Sequence, residues 1–519
     1  MSNILKTITP LFTTSLWKWD IQSQNNFFSY SEGISFPSAS MLSYSQSLSK
    51  HIWISEDDIY SPSFINSLSG NSLPQLIKPY ALRYWGHQFW YWAGQLWDGR
   101  VLNLWEIQNE KDIYTLQLKW SWPNIFSRWW DGFAVLRSSI REFVCSEAMY
   151  HLWVPTSRAL CLISTWSKVV RDVMYDWNPR LEAWAIVCRV APSFIRFWSF
   201  EILTKEDKIP ELKILVDYIV KLYYPHIDVK SENTYALFLK EVADKTLDMI
   251  INWQRVGFVH WVMNTDNMSI LGLTLDYGPY GFLDNYDENW TPNTTDAEGR
   301  RYRFWNQVNI GLWNIVQLAN ALHPLIQDVP VIQKIVDDYR TNFLKKYHTM
   351  MQQKLWLYED ITDDILLIQE LIKLLQTSGT DFTIFFRNLS KYKKDTKFSW
   401  DVLEPIRDAF YTPKKITWDI QTSWENWIQK YLKRLQVEKQ SDTQRRSAMN
   451  RVNPKYIWRN YIASQVIEDV EKGDTASLET CMKLFEKPYD EQPEFEKYFA
   501  KRPDWAKEKI GCSMLSCSS

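Results

Sequence analysis

Gly257-Phe-Val-His260-Trp-Val-Met-Asn-Thr-Asp266-Asn267-Met-Ser-Ile-Leu-Gly-Leu-Thr-Leu-Asp276-Tyr-Gly278 is the stretch from which the fold reads. It sets an Asp-Asn pair on a loop-like segment, His260–Asn267. An apolar run, Ile270–Leu275, predicts a short strand, and Asp276-Tyr-Gly278 predicts a turn after it. Each residue alone would pass for a turn cap or a strand end; the set has a chemical use. Phosphoryl-transfer enzymes need one carboxylate to orient or deprotonate an attacking hydroxyl. They also need an amide oxygen and a second carboxylate to hold a metal on the phosphates. Hard oxygen ligands of this kind suit Mg²⁺ or Mn²⁺ and offer little to Zn²⁺.

Outward from this stretch, the N-terminal side alternates and the C-terminal side is helical. Ile113-Tyr-Thr-Leu-Gln-Leu-Lys119 alternates and predicts a strand. Ala134 to Leu152 carries apolar residues at three- and four-residue intervals, which predicts an amphipathic helix holding Glu142. A strand Lys held by a helix Glu is how kinase-like folds aim an ammonium at nucleotide phosphates. Lys119 and Glu142 gain that meaning only beside the downstream Asp-Asn…Asp set; otherwise they read as a solvated lysine and a surface glutamate. Helices are predicted at Glu211–Tyr224, Asn233–Val256, Asn309–Leu325 and Asp360–Gln376, with a last helical segment from Lys455. Residues 436–447 read as a polar linker, and 1–75 as an irregular arm on the body. The fold class is therefore α+β, with a strand-rich part before a mostly helical one.

Composition narrows the partners. The 519 residues carry a formal net charge of −2, so no global field favours nucleic acid or an anionic membrane. Met1–Asp20 lacks a basic segment followed by an apolar stretch, and no run of 18 apolar residues occurs, which predicts a cytoplasmic protein. The six cysteines follow neither zinc-finger nor thioredoxin spacing. Cys145, Cys161 and Cys188 read as small core residues, and Cys512 and Cys517 as part of an exposed tail. His87 and His260 read as hydrogen-bonded structural groups.

Several long motifs, in one order, resemble the selenoprotein O family. They are Gly86-His-Gln-Phe, Trp92-Ala-Gly-Gln-Leu, Asp98-Gly99-Arg100, Asp131-Gly132, Ala134-Val-Leu-Arg-Ser-Ser-Ile-Arg-Glu142 and Val262-Met-Asn-Thr-Asp-Asn-Met-Ser-Ile-Leu-Gly-Leu. Asp276-Tyr-Gly-Pro-Tyr-Gly-Phe-Leu-Asp284, Asn453-Pro…Arg459-Asn-Tyr and Leu515-Ser-Cys-Ser-Ser519 continue the series. The similarity is strong over 78–320 and 449–519 and poor over the first 75 residues and 325–445. The resemblance implies a protein-kinase-like, two-lobed fold; with the arm read at 1–75, this gives an N-lobe at 76–205, a C-lobe at 206–435 and an extension at 436–519. It implies ATP bound in reversed orientation, so that AMP passes to Ser, Thr or Tyr of a protein substrate, with Mg²⁺ or Mn²⁺. UMP transfer stays open, as do a silent pseudokinase scaffold and an ordinary γ-phosphoryl kinase. By motif match, Asp266 would accept the proton and Asn267 and Asp276 would bind metal. Lys119, anchored by Glu142, would contact phosphate. Trp97, Gly99, Arg100, Asp131 and Gly132 would lie in nucleotide-contacting loops, and Arg189 and Arg196 would complete the pocket, since arginine's fork suits phosphate oxygens. Either arginine could instead pair with a carboxylate between the lobes.

The chain departs from the family in two ways. Trp85, Trp90, Trp97, Trp120, Trp122, Trp130, Trp153, Trp177, Trp184, Trp198 and Trp261 stand where the family pattern has Gly. Such glycines permit positive φ or let backbone amides approach phosphate. The chain has 29 Trp and 15 Gly, where ordinary Gly usage would give roughly 36. The change is from one residue type to one other, as a UGA codon read as glycine by some bacterial lineages would produce when read as tryptophan. Trp92, Trp253 and Trp313 would be true tryptophans. A Trp-rich protein with repacked loops is the alternative. The second departure concerns redox control: family members can link a C-terminal Cys to one in the loop after the metal-binding Asp. Here Asn289–Arg300 contains no Cys and Pro292 takes the position, which puts the family's link in doubt, though Cys512 and Cys517 could pair with each other.

Overall fold

The computed structural model describes residues 27–30, 36, 38–71, 78–83, 87–88, 91–92, 101–109, 112–119, 134–171, 180–291, 296, 298–359, 361, 363–397, 399, 401–412, 416–509, 511–512 and 515. Strands β1 (Phe28–Tyr30), β2 (Ser40–Tyr44), β3 (Tyr80–Leu82), β6 (Val101–Asn109), β7 (Asp112–Lys119), β8 (Arg158–Arg171) and β9 (Arg180–Ala191) form one antiparallel sheet, in the order β1-β3-β6-β7-β9-β8-β2. β4 (His87–Gln88) and β5 (Tyr91–Trp92) form a separate small hairpin. The expected strand at Ile113–Lys119 is β7.

Alternation along these strands sorts side chains to two faces. Leu116, Leu118, Cys188 and Val190 face a core shared with Leu48, Ile52, Ile59, Phe64 and Leu68. Those residues lie in or directly after three short helices, Gln46–His51, Glu56–Ile59 and Pro62–Leu68, each capped at its start by a serine side chain. The segment expected to be an irregular arm thus supplies two strands and the cover of one sheet face. Its Ser caps and buried apolar residues recur too briefly to give a period. The opposite face carries Lys119, Gln117 and Arg189, and packs the helix Leu136–His151.

The C-terminal half is helical, with helices Ile209–Tyr223, Thr234–Val256, Gln307–Ile326, Val329–Leu355, Asp364–Ser378 and Trp418–Leu435. The predicted helices at 211–224, 233–256, 309–325 and 360–376 correspond to four of these. Two expectations fail. Residues 442–447 of the supposed linker belong to a helix, Asp442–Val452, started by a capping box in which Ser441 and Gln444 satisfy each other's backbone N–H groups. Ile270–Leu275 is not a strand: Gly272 takes φ of +64°, and its Cα packs so closely on Lys245 that a Cβ would stand 2.6 Å from the Lys245 carbonyl oxygen. The chain turns there, and only isolated bridges remain, Met268 and Thr156 each pairing with Thr274.

The last segment docks rather than trails. Arg459 donates to Asp284 (2.7 Å) and Asp381 (2.9 Å) in the interior, and Asn460 donates to the Cys512 carbonyl at 2.8 Å. Cys512, expected to be exposed, is buried because that bond draws the tail onto the body. Cys145, Cys161 and Cys188 are buried core thiols, as expected. Among the described residues no helix is long and apolar enough to cross a membrane.

Candidate active site

The helix Thr234–Val256 ends at Gly257, in the left-handed conformation at φ +74°. β10 (Phe258–Val259) then pairs with β11 (Gly281–Phe282), so residues 260–280 form one long loop closed at its base. Three contacts shape it. Segment 195–197 runs beside 268–270, with Phe197 N–H donating to the Met268 carbonyl at 3.0 Å and a bridge between Arg196 and Ser269. Segment 155–157 holds Thr274, which donates to the Pro155 carbonyl at 2.9 Å. His260, stacked on Trp253, bonds the Leu275 carbonyl at 2.8 Å, tying the start of the loop to its end. Burial lowers the His260 pKa, so the ring is neutral and its Nε2–H donates. The histidine is a structural tie, as its sequence context suggested.

Asp266 and Asn267 lie on a single 3₁₀ turn, Thr265–Asn267, and are half-buried. Asn267 donates its amide hydrogen to the Val262 carbonyl at 2.8 Å, which turns its amide oxygen the opposite way. Asp276 sits at φ +61°, a conformation Asp tolerates better than most residues.

The charges meet at Asp276. Lys119 Nζ lies 2.5 Å from Glu142 Oε2 and 2.8 Å from Asp276 Oδ1. Arg189 Nη1 lies 3.0 Å from Glu142 Oε1 and 2.6 Å from Asp276 Oδ1. Arg196 Nη1 lies 2.6 Å from Asp276 Oδ2 and donates to the Asp266 backbone carbonyl, also at 2.6 Å. Burial would raise the Asp276 pKa, but Arg196, Lys119 and Arg189 outweigh it and hold the carboxyl well below the usual range. Burial likewise works against the charge on Arg189, and Asp276 and Glu142 more than offset it, raising its pKa. Three cations, Lys119, Arg189 and Arg196, face the carboxylates of Glu142 and Asp276, with Asp266 on the adjoining turn, and these cations are the groups here suited to phosphate oxygens.

Lys119, Glu142, Arg189, Arg196 and Asp276, spread over 158 positions of sequence, are thus brought into direct contact, with Asp266 joined through its backbone. Trp97, Gly99, Arg100, Asp131 and Gly132 lie outside the described residues. Sequence reasoning missed Gln117, which pairs in register with Arg189 across β7 and β9 and accepts from its Nη2. Gln117 in turn donates to Asn103 at 2.9 Å. The alternation of β7 carried the signal: Gln117 is two residues from Lys119 and shares its face. Along the same face opens a cavity of about 230 Å³ lined by Asn103, Glu106, Thr115, Phe194, Tyr218 and Tyr223.

The donor set suits a hard divalent cation shared with a substrate. Among the described residues no three His, Cys, Asp or Glu side chains converge as a metal cage. Mg²⁺ is commonly held by one or two protein oxygens plus substrate phosphates and water, and one amide oxygen with one carboxylate matches that habit.

A family model described as "Protein adenylyltransferase SelO" matches residues 14–486. A protein of Flavobacterium johnsoniae named protein nucleotidyltransferase YdiU is 49% identical over 498 residues, covering 96% of this chain and 95% of the relative. The protein of the same name from Aromatoleum aromaticum is 46% identical over 484 residues, covering 92% of each. That of Rhodopirellula baltica is 46% identical over 469 residues, covering 87% of each.

Proposed function

The chain belongs to the protein adenylyltransferase SelO family, and on that premise we propose that it transfers AMP from ATP to Ser, Thr or Tyr hydroxyls of protein substrates through the cluster around Asp276. The observation that carries the proposal is the gathering of Lys119, Arg189 and Arg196 on one carboxylate beside the Asp266–Asn267 turn. Lys119 is presented by β7 and held by Glu142 of the helix Leu136–His151, and this pairing supports reading the fold as protein-kinase-like and two-lobed. On this reading residues 76–205 form the N-lobe, 206–435 the C-lobe, and 436–519 the extension docked behind them.

In the reaction, the substrate hydroxyl oxygen forms a bond to the α-phosphorus while the bond to the β-phosphate bridging oxygen breaks. Pyrophosphate leaves, and the hydroxyl proton passes to the Asp266 carboxylate. Lys119, Arg189 and Arg196 exchange part of their pairing with Asp276 for phosphate oxygens, stabilising the charge that develops on the leaving group. Asn267 and Asp276 would hold Mg²⁺ or Mn²⁺. That cation, when bound, neutralises phosphate charge and fixes the triphosphate against the acceptor. UTP in place of ATP would use the same phosphate contacts.

The test is transfer from ATP labelled separately at the α- and γ-phosphates, with Mg²⁺ or Mn²⁺ and a protein acceptor. Label kept on protein from the α-position alone supports the proposal. Label from the γ-position alone identifies an ordinary kinase, and none from either a nucleotide-binding scaffold; both outcomes overturn it.

A further inference from the structure

Five tryptophans occupy backbone positions that this chain elsewhere gives to glycine. Trp53, Trp153, Trp166, Trp261 and Trp356 have φ of 59°, 60°, 57°, 68° and 59°. They are five of the nine non-glycine residues with positive φ among those described, although tryptophan makes up 29 of 519 residues. Bulky side chains are steric outliers in this region; glycine enters it freely.

Three of the five end helices by one motif. After Gln46–His51, Trp53 N–H bonds the Lys50 carbonyl and Ile54 N–H the Ser49 carbonyl. After Leu136–His151, Trp153 bonds Tyr150 and Val154 bonds Met149. After Val329–Leu355, Trp356 bonds Gln353 and Leu357 bonds Gln352. This nested pair is the Schellman closure, whose left-handed residue is usually glycine. Among the described residues the same pair closes other helices at Gly70 (with Asn71 to Asn66), at Gly473 (with Asp474 to Asp469) and at Asp207 (with Lys208 to Leu203), a residue type that tolerates this region better than tryptophan.

The side chains agree with the backbones. Trp261 is completely buried against Trp290, and its indole N–H has no hydrogen-bond partner; the buried indole of Trp356 has none either. Trp153 and Trp166 find room only by lying on the surface, where they stack on Tyr489 and bond Ser40. By contrast Trp253, Trp427 and Trp458 have ordinary φ, are buried, and donate at 2.9 Å to Thr274, Leu367 and Tyr280. Buried indoles normally find such a partner.

We infer that glycine is the working residue at positions 53, 153, 166, 261 and 356, encoded by UGA and read as glycine in the cell of origin. One codon with two readings explains why a single bulky residue type supplies five of the nine non-glycine positive-φ positions among the described residues, and why the tryptophans with built partners show no strain. At 261 the consequence reaches the reaction, since this residue opens the loop that carries Asp266 and Asn267.

Two measurements test the inference. The gene should show UGA at these five codons and UGG at 253, 427 and 458, and peptides of the protein from its own cells should contain glycine at the five; UGG codons or tryptophan-containing peptides there would overturn it. In protein made with tryptophan at all 29 positions, Trp261→Gly should raise nucleotide turnover at least about tenfold and Trp261→Ala much less, because alanine removes the indole but keeps the unfavourable φ. Equal recovery by both, or none, would show that the loop does not need glycine at 261.

Discussion

The Arg196 guanidinium ties two points of one loop through a single nitrogen, lying 2.6 Å from Asp276 Oδ2 and 2.6 Å from the Asp266 backbone carbonyl. It therefore fixes the spacing between the proposed proton acceptor and the proposed metal-binding carboxylate. Arg196→Lys keeps the charge but trades the rigid, planar guanidinium that fixes this nitrogen for a flexible, rotatable ammonium. The expected outcome is a fall in kcat of about 10²-fold or more, with far-ultraviolet circular dichroism unchanged, measured by α-labelled transfer.

Asp266 is half-buried on a one-turn 3₁₀ segment and supplies its carboxylate from there. Asp266→Asn preserves shape and removes the proton acceptor. Transfer should fall by about 10²- to 10⁴-fold, while ATP affinity, read by calorimetry with Mg²⁺, should change little. A large loss of affinity with kcat retained would assign Asp266 to binding instead.

Much of this site was legible in the sequence because its parts lie on periodic elements or in one compact stretch. Lys119 ends an alternating strand and Glu142 sits on an amphipathic helix, so both could be placed before their 2.5 Å contact was seen. The pairing of Arg189 with Gln117 was not legible, because register between β7 and β9 is a non-local property that neither strand states. Ile270–Leu275 misled, since its apolar alternation serves burial in a turn forced by the close approach of Gly272 to Lys245. Two arginines seven positions apart gave only a choice between phosphate and carboxylate. The structure shows both on Asp276, a carboxylate, beside Lys119.

Asp276 gives a pH signature. Arg196, Lys119 and Arg189 overcome the effect of burial and hold its folded-state pKa well below the ordinary value, which is about 3.9 in an unfolded chain. Its ionisation thus contributes stability that is fully present above the unfolded value and is lost as pH falls through the folded one. The stability difference between wild type and Asp276→Asn should be constant from neutral pH down to about pH 5 and shrink at lower pH. Urea unfolding at a series of pH values measures it; a difference that grows on acidification would contradict the assigned charge pairing.

Arg459 offers a prediction about the C-terminal extension that is independent of the chemistry. Its guanidinium is buried between Asp284 and Asp381, at 2.7 and 2.9 Å, and those carboxylates sit on the segments that follow β11 and precede the helix Phe382–Leu389. Burial acts against the Arg459 charge, but Asp381, Tyr411 and Asp284 more than compensate and raise its pKa well above the usual value. Removing the cation leaves two carboxylates close together in the interior, Asp381 being fully buried, with Arg502 facing Asp284 only at 3.5 Å. Breaking a buried pair from one side typically costs about 3–5 kcal/mol. Arg459→Met should therefore lower the thermal midpoint by several degrees and expose the 460–512 segment to limited proteolysis before the rest of the chain. Asp381→Asn placed on top should restore part of the loss, because it removes one of the stranded charges. If the single variant melts like wild type, the extension is held by its apolar contacts alone, and the Arg459 network adds little to its docking.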